Sequence, residues 1–350
     1  MTNNVHEIRT LIRESKNFYI AGHTNPDGDS IGACFGLGLA LEKLGKNVRV
    51  LLEPFHHKYD VIPGRHLMYT AQEIEIPQEM LSQRTVRGQE EHSKGSEKDP
   101  CLQWPEAVLI CVDCADIGRL SGYSKTLAEK LPCTVSIDHH YSNTHFAKHN
   151  FVDGQASSTC EMIYRILDGF AELDQNIAAA LYAGIVGDTG GFRYESASRD
   201  TLIAVGNLIA TGIPFTDIYT ELLHSRSYTE VKLLARVLDA CRRNRDGSIV
   251  YACVPQKMMV NLEGAPDANP QDLEGMVEYL LNIRGAKVAF LVYDCCSDGD
   301  VKISLRSRKF NVGAIAQQLG GGGHQLAAGA TVKGDIFKVC DKVLSLIAGL

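Results

Sequence analysis

Four hydrophobic runs before residue 190 of this chain end in aspartate or histidine. They end at His23-Thr-Asn-Pro-Asp27-Gly-Asp29, at Asp113, at Asp138-His139-His140 and at Asp188. Continuous apolar runs separated by helical segments are typical of a parallel, doubly wound sheet covered on both faces. Such sheets bind ligands beyond the carboxyl ends of their strands. The chain is therefore predicted to be an α/β protein with a polar pocket at one sheet edge.

Hydrophobic patterning also predicts the individual elements. Ser30 is predicted to cap the first helix, which runs through Leu41 and ends near Gly45. Predicted strands cover residues 17–22, 48–52, 107–112, 134–137, 249–254, 288–293 and 301–305. Predicted helices cover residues 199–211, 273–282 and 312–319, and a helical region lies within 215–243.

The length of 350 residues suits two domains. We predict a catalytic metal-binding domain over residues 1–211, a helical connector over 212–243 and a smaller α/β substrate-binding domain over 244–350. The active-site cleft is expected between the two domains. A polar stretch near 85–103 is predicted to be a surface insertion with no assignable role.

Composition excludes several classes of protein. The net charge of −7 argues against a general nucleic-acid coat, since non-specific phosphate binding depends on clustered Lys and Arg. Because the chain has no long apolar segment and no basic-then-apolar start, we expect a cytoplasmic protein without membrane contact. The eleven cysteines are scattered, and Cys111 and Cys114 have no second pair at zinc-site spacing.

The segment from His23 to Asp29 contains a tight turn. Pro26 and Gly28 favour that turn, which would direct the side chains of His23, Asp27 and Asp29 into one small volume. Asp113, Asp188 and one histidine from 138–140 are expected to join them. Four carboxylates this close would repel one another, so the cluster predicts bound cations.

Two divalent ions would neutralise this charge. Mixed carboxylate and imidazole ligands favour Mn²⁺, with Mg²⁺ as the second choice, over a structural zinc ion. A pair of such ions that activates a hydroxide is the usual apparatus for attack on phosphorus. Phosphoester hydrolysis is therefore the predicted reaction.

A glycine run and an arginine in the C-terminal part favour phosphate binding. Gly320 to Gly323 would let backbone amides approach an anion, and His324 follows directly. A flexible turn after a helix is the plain alternative for the glycines alone. Arg306 ends a predicted strand and offers a rigid fork for a phosphate.

Together these residues resemble the DHH phosphoesterase family, and more narrowly its short NrnA-type members with a DHH-associated C-terminal domain. The matching motifs are H-x-N-P-D-G-D-S-x-G at 23–32, V-D at 112–113, D-H-H at 138–140, G-D-T-G-G-F-R at 187–193 and G-G-G-G-H at 320–324. The resemblance implies hydrolysis of short RNA oligonucleotides to mononucleotides and removal of the 3′-phosphate from 3′-phosphoadenosine 5′-phosphate.

The resemblance also implies residue roles. His23, Asp27 and Asp113 would bind one metal, and the second would be bound by Asp29, Asp113, His139 and Asp188. Asp138 would orient a ligand and His140 would face the substrate phosphate. Substrate would be contacted by Arg306, Gly322, Gly323 and His324.

Two other functions stay open at this point. One is a pApA or cyclic di-AMP phosphodiesterase, which would use the same metals. The other is a non-catalytic nucleotide-binding module, which the complete ligand set disfavours. The apolar helical region after Pro214, together with the resemblance, predicts a homodimer.

Overall fold

A computed structural model describes residues 2–69, 104, 106–295 and 299–348. The chain divides into an N-terminal unit, Met1–Ser225, and a C-terminal unit, Arg226–Leu350. The division falls inside the stretch predicted as a connector, so the three-part boundaries proposed from the sequence stay a prediction. The polar insertion predicted near 85–103 lies outside the described residues.

The N-terminal unit contains a six-stranded sheet. Its strands are β1 (Asn17–Ala21), β2 (Asn47–Leu51), β3 (Met68–Tyr69), β4 (Val108–Val112), β5 (Cys133–Asp138) and β6 (His149–Val152). Their order is β3-β2-β1-β4-β5-β6, and every neighbouring pair is parallel. The predicted parallel sheet is confirmed. Because β1, β4 and β5 are adjacent, the residues that follow them lie together.

Seven helices of the N-terminal unit are described. They are α1 (Thr2–Glu14), α2 (Gly28–Lys43), α3 (Gly122–Lys130), α4 (Thr159–Leu167), α5 (Gln175–Asp188), α6 (Arg199–Ala210) and α7 (Phe215–Leu223). Helix α2 is buried from Gly28 to Leu41 and packs against α5. A Cβ at Gly32 would lie 2.5 Å from the carbonyl oxygen of Ala180, so this close approach requires glycine.

The predicted cap of α2 is wrong. Asp27, not Ser30, is the N-cap, and its carboxylate accepts hydrogen bonds of 3.1 Å from the backbone N–H groups of Asp29 and Ser30. An aspartate at this position satisfies unpaired N–H groups and is stabilised by the positive end of the helix. The helix therefore begins earlier than predicted, and Asp29 lies in its first turn.

The C-terminal unit contains a mixed sheet. Its strands are β7 (Arg242–Arg243), β8 (Ile249–Val254), β9 (Val288–Asp294), β10 (Asp300–Ser307), β11 (Gly322–Gly323) and β12 (Ala327–Lys333). The order is β11-β12-β10-β9-β8-β7; β8 and β9 pair in parallel and the other neighbours are antiparallel. Apolar cores form on both faces, so β9 is buried from Val288 to Tyr293.

Four helices accompany this sheet. They are α8 (Tyr228–Asp239), α9 (Met276–Leu281), α10 (Val312–Gln318) and α11 (Ile336–Ala348). Across the described parts of both units, no helix has the length and apolar character needed to pass through a bilayer.

Candidate metal centre

His23 enters the site directly after β1. Its Nδ1 lies 2.8 Å from the carbonyl oxygen of Thr24. Because a carbonyl only accepts, Nδ1 donates and the lone pair is on Nε2. That Nε2 lies 3.4 Å from Oδ2 of Asp113 and 3.9 Å from Oδ1 of Asp27. A histidine held by its Nδ1–H in this way is oriented as metal-binding histidines usually are.

Asp113 follows β4 and is the central acid of the site. Its backbone is left-handed, with φ of 54°, and its N–H donates to the Ile137 carbonyl oxygen at 3.0 Å. A non-glycine residue in this region is strained, so the β4–β5 pairing must hold it there. Its Oδ2 faces His23, while Oδ1 lies 3.6 Å from Nε2 of His139. Oδ1 also lies 3.6 Å from Nδ1 of His140, so one carboxylate oxygen faces His23 and the other faces His139 and His140.

Asp29 is held by the start of helix α4. Its Oδ2 accepts from the N–H of Thr159 at 2.7 Å, and its Oδ1 accepts from the N–H of Cys160 at 3.0 Å. Helix N-termini stabilise negative charge in this geometry. A Cβ at Gly184 would lie 2.9 Å from Oδ1 of Asp29, so glycine is required beside it.

Sequence reasoning missed Thr159, which contacts both Asp29 and Asp113. Besides its N–H bond to Asp29, its hydroxyl donates to Oδ1 of Asp113 at 3.4 Å. The S-x-x-E spacing of Ser158 and Glu161 is a helix-start signal, and Ser158 indeed caps α4. That signal could have located the helix start, but it does not indicate which acid lies there.

His139 and Asp188 complete the cluster. Nε2 of His139 lies 3.4 Å from Oδ2 of Asp188 and 3.9 Å from Oδ2 of Asp29. Asp188 is the last residue of helix α5, so it reaches the site from a helix and not from a strand. All six residues predicted to bind metal are thus brought together in the N-terminal unit.

Burial and neighbouring charges shift the pKa values of the buried acids and of His139 in this cluster. Burial raises the pKa of Asp113 well above its ordinary value, and the nearby charge of Asp29 adds to the effect. Burial likewise raises the pKa of Asp188 to about 7. Burial alone would lower the pKa of His139, but Asp188 and Asp29 raise it to about 9. These raised pKa values favour protonated carboxyl groups, and a bound cation would offset the same crowding of negative charge.

The donor set fits divalent cations. Potential ligand atoms lie within 4.8 Å of one another in three sets that share Asp113. These sets are His23, Asp27 and Asp113; Asp29, Asp113 and His139; and Asp113, Asp138 and His140. Carboxylate oxygens with imidazole nitrogens suit first-row divalent ions.

Asp138 and His140 form a hydrogen-bonded pair beside this cluster. Oδ1 of Asp138 lies 2.7 Å from Nδ1 of His140, and Oδ2 accepts from the side-chain amide of Asn143 at 2.6 Å. Burial alone would raise the pKa of Asp138, but the bonds from His140 and Asn143 lower it. Sequence reasoning missed Asn143, because asparagine there is an ordinary turn residue, whose Oδ1 accepts from the N–H of His145, and a turn signal does not indicate contact with Asp138.

Arg306 lies near the end of β10 in the C-terminal unit. Its Nε donates to Oε1 of Glu278 at 2.8 Å, and Nη1 donates to the carbonyl oxygen of Leu305 at 3.0 Å. Across the sheet Arg306 is paired with Ala327, whose carbonyl accepts from the N–H of His324 at 2.7 Å. Arg306 and His324 therefore flank the same point of the sheet.

The glycine run has a structural explanation of its own. Gly322 and Gly323 form the exposed edge strand β11, paired with β12. A Cβ at Gly321 would lie 2.1 Å from the carbonyl oxygen of Gly329, and one at Gly323 would lie 2.6 Å from that of Ala327. Close strand approach thus requires Gly321 and Gly323, whereas a Cβ at Gly322 would meet no atom within 4 Å. The contact of Gly322 and Gly323 with substrate stays a prediction.

Comparison with known families assigns both units. Residues 17–185 match the DHH family, N-terminal domain, and residues 246–348 match the DHHA1 domain. The chain belongs to the DHH family, as its motifs predicted.

Individual relatives extend this assignment. The chain is 30% identical over 332 residues to the bifunctional oligoribonuclease and PAP phosphatase NrnA of Thermus thermophilus, covering 94% of this chain and 88% of the relative. It is 26% identical to the cyclic-di-AMP phosphodiesterase PdeA of Listeria monocytogenes over 96% of this chain, but spans only 48% of that protein. The crystal structure of an exopolyphosphatase-related protein from Bacteroides fragilis shares the fold, with a TM-score of 0.83, 23% identity and coverage of 99% and 96%.

Proposed function

We propose that this protein is a metal-dependent phosphoesterase that hydrolyses short RNA oligonucleotides to mononucleotides. It also removes the 3′-phosphate from 3′-phosphoadenosine 5′-phosphate. The observation that carries the proposal is the position of Asp113, whose two oxygens lie 3.4 Å from His23 and 3.6 Å from His139. One carboxylate placed between two imidazoles is suited to bridge two cations.

The proposed cofactors are two divalent ions, with Mn²⁺ preferred and Mg²⁺ as the substitute. His23, Asp27 and Asp113 would hold one ion, and the other would be held by Asp29, Asp113, His139 and Asp188. When bound, the ions favour loss of a proton from water and offset charge on the phosphate.

The remaining residues act on the substrate. His140, with its Nδ1 held 2.7 Å from Asp138, would stabilise charge on the phosphate or assist the leaving oxygen. In the C-terminal unit, substrate would be bound by Arg306, Gly322, Gly323 and His324.

The substrate class is supported by the name of the Thermus relative, a bifunctional oligoribonuclease and PAP phosphatase with which 94% of this chain aligns. The net charge of −7 favours short single strands over long duplexes, since duplex binding needs many phosphate contacts.

A substrate panel with product analysis tests the proposal. The purified chain with Mn²⁺ is incubated with a five-nucleotide RNA, 3′-phosphoadenosine 5′-phosphate, pApA, cyclic di-AMP and pyrophosphate. Release of mononucleotides from the RNA and of phosphate from the bisphosphate is expected. Failure to cleave either with Mn²⁺ or Mg²⁺ would overturn the proposal.

A second candidate is a phosphodiesterase acting on pApA or cyclic di-AMP. It is favoured by the similarity to the Listeria cyclic-di-AMP phosphodiesterase, 26% identical over 96% of this chain. The same panel separates the two candidates, because a value of kcat/KM for cyclic di-AMP above that for RNA would select the second.

We also propose that the protein is a cytoplasmic homodimer. Helix α8 exposes apolar side chains at Tyr228, Val231 and Leu238, with exposed fractions of 60%, 49% and 40%. Such exposure on one helix is suited to contact with a second copy. Light scattering on the purified chain is expected to give twice the monomer mass of 38.3 kDa.

A further inference from the structure

We propose that Asn143 is a positioning residue that fixes His140 through Asp138. The inference rests on the proposed function, in which His140 faces the substrate phosphate. Asn143 matches none of the residues predicted to bind metal or substrate.

The contacts form a short chain of hydrogen bonds. The side-chain amide of Asn143 donates to Oδ2 of Asp138 at 2.6 Å, and Oδ1 of Asp138 lies 2.7 Å from Nδ1 of His140. Both oxygens of the Asp138 carboxylate are therefore engaged by side chains. Asp138 itself is fully buried, so each of these bonds replaces one that water cannot supply.

Asn143 is itself fixed in orientation. Its Oδ1 accepts from the backbone N–H of His145 at 2.7 Å, which identifies the amide oxygen. Its Nδ2 lies 3.3 Å from the carbonyl oxygen of Cys114 and 3.4 Å from Oγ of Ser136. Asn143 thus ties the residue after Asp113 to strand β5.

The consequence for His140 is a fixed tautomer and ring orientation. An ionised carboxylate only accepts, so Nδ1 of His140 carries the proton, and Nε2 is the atom that would face the phosphate in the proposed function. Without Asn143, one oxygen of Asp138 would lose its donor and the carboxylate could rotate away from His140. The side-chain hydrogen bonds of Asn143 go to Cys114, Ser136, Asp138 and His145, and its backbone N–H donates to the carbonyl oxygen of His140; none of these residues is a predicted metal ligand.

A double-mutant cycle on RNA hydrolysis tests this coupling. Asn143→Ala is expected to lower kcat about tenfold to a hundredfold, as for a misplaced catalytic group, with KM changed by about twofold or less. In a His140→Ala background the same substitution should have little further effect. Equal losses in both backgrounds would overturn the proposal, because Asn143 would then not act through His140.

Asn150→Ala is the matched control. In the Asn150 side chain, Oδ1 accepts from the N–H of Ala147 and Nδ2 donates to the carbonyl oxygen of Ala147, which lies in the loop before β6. Like Asn143→Ala, this substitution removes hydrogen bonds from an asparagine side chain to a nearby loop, but these two bonds go to Ala147 and not to the pair that holds His140. We therefore expect kcat to stay unchanged and thermal stability to fall slightly.

A spectroscopic measurement keeps the inference separate from the proposed activity. In ¹⁵N-histidine-labelled wild-type protein at neutral pH, with the signal assigned by His140→Gln, His140 should be protonated at Nδ1 and exchange slowly. In the near-isosteric Asn143→Asp variant, which replaces a donor by an acceptor, this signal should weaken or broaden. An unchanged His140 signal in Asn143→Asp would refute the positioning role. A wild type with the expected signal but no activity on the substrate panel would instead refute the proposed function.

Discussion

The N-terminal and C-terminal units place their predicted site residues in opposite environments. In the N-terminal unit Asp29, Asp113 and His139 are only 1%, 2% and 7% exposed. In the C-terminal unit His324 is exposed, and Arg306 is half-buried and paired with Glu278. Buried like charges are unfavourable unless a cation offsets them, whereas an exposed or paired group needs no ligand. The buried acids of the N-terminal unit therefore indicate that they bind a cation. The exposed His324 and the paired Arg306 do not indicate a ligand by themselves.

Sheet topology explains part of this difference. In the parallel sheet the carboxyl ends of β1, β4 and β5 meet at one edge, so acids that follow them must crowd together. In the mixed sheet β10 runs antiparallel to β9, and Arg306 near the end of β10 pairs with Ala289 near the start of β9. Strand-end residues there are divided between two edges.

The largest expected effect comes from removing the central acid of the N-terminal unit. Asp113→Ala should lower Mn²⁺-dependent hydrolysis of a dinucleotide by about a thousandfold or more, since both proposed ion positions would lose a ligand. At neutral pH the metal-free variant should be more stable than the wild type, by about 2–4 °C in Tm, because folding no longer has to bind a proton at this buried acid, whose pKa is raised. Asp116→Asn, in the loop that follows, is the control and should keep its activity. If Asp113→Ala kept its activity, the buried acids of the N-terminal unit would not be the functional metal site, and the contrast with the C-terminal unit would fail.

Metal removal should destabilise the protein, and more so at high pH. The raised pKa values of Asp188, about 7, and His139, about 9, mean that the folded metal-free state holds extra protons. Its stability therefore falls as pH rises from about 4 through 9, and metal bound at the proposed site would replace these protons. With Mn²⁺ at about a hundred times its Kd, Tm should rise by about 5–10 °C.

Calorimetry at pH 6 and pH 8, with Mn²⁺ or with a chelator, measures this linkage. The Mn²⁺-induced shift should be larger at pH 8. An equal shift at both values, or none, would mean that the crowded acids of the N-terminal unit are not a cation site.

In the C-terminal unit, Arg306→Ala should act on substrate binding. Loss of a charged hydrogen-bond donor is expected to raise KM about tenfold, with kcat changed by about twofold or less. Arg308→Ala is the matched control, because Arg308 follows the same strand and donates to backbone carbonyls of Ala286 and Leu281. An unchanged Michaelis constant in Arg306→Ala would leave this unit with no demonstrated role in binding.

The smallest expected effect concerns Thr159. Thr159→Val removes the hydroxyl that donates to Asp113 but keeps the N–H bond to Asp29, so Mn²⁺ affinity should fall about tenfold or less. Thr159→Ser should restore it. Thr201→Val removes a buried hydroxyl that donates to Glu161 and should reduce stability without changing Mn²⁺ affinity. Titration calorimetry compares the three variants, and equal affinities would assign Thr159 a purely structural role.

Prediction from the sequence succeeded where apolar runs were short and separated. Strand β8 begins and ends where predicted, at Ile249 and Val254. Helix α5 was not predicted, because it is apolar on nearly all sides from Ile177 to Val186 and has no amphipathic period. Strand β12 was missed because its residues are mostly small, and its partner β11 consists of two glycines.

The sequence by itself determined the chemistry of the donors and the family of the chain. It also indicated that His23, Asp113 and His139 lie at the same edge of a sheet, because the carboxyl ends of parallel strands share one edge, while the adjacency of their strands came from the structure. The tertiary structure alone decided that Asp29 lies on the N-terminus of α4, 130 residues away, and that each oxygen of Asp113 faces a different histidine. Such contacts depend on packing to within a few tenths of an ångström between distant segments, which no local pattern of residues encodes.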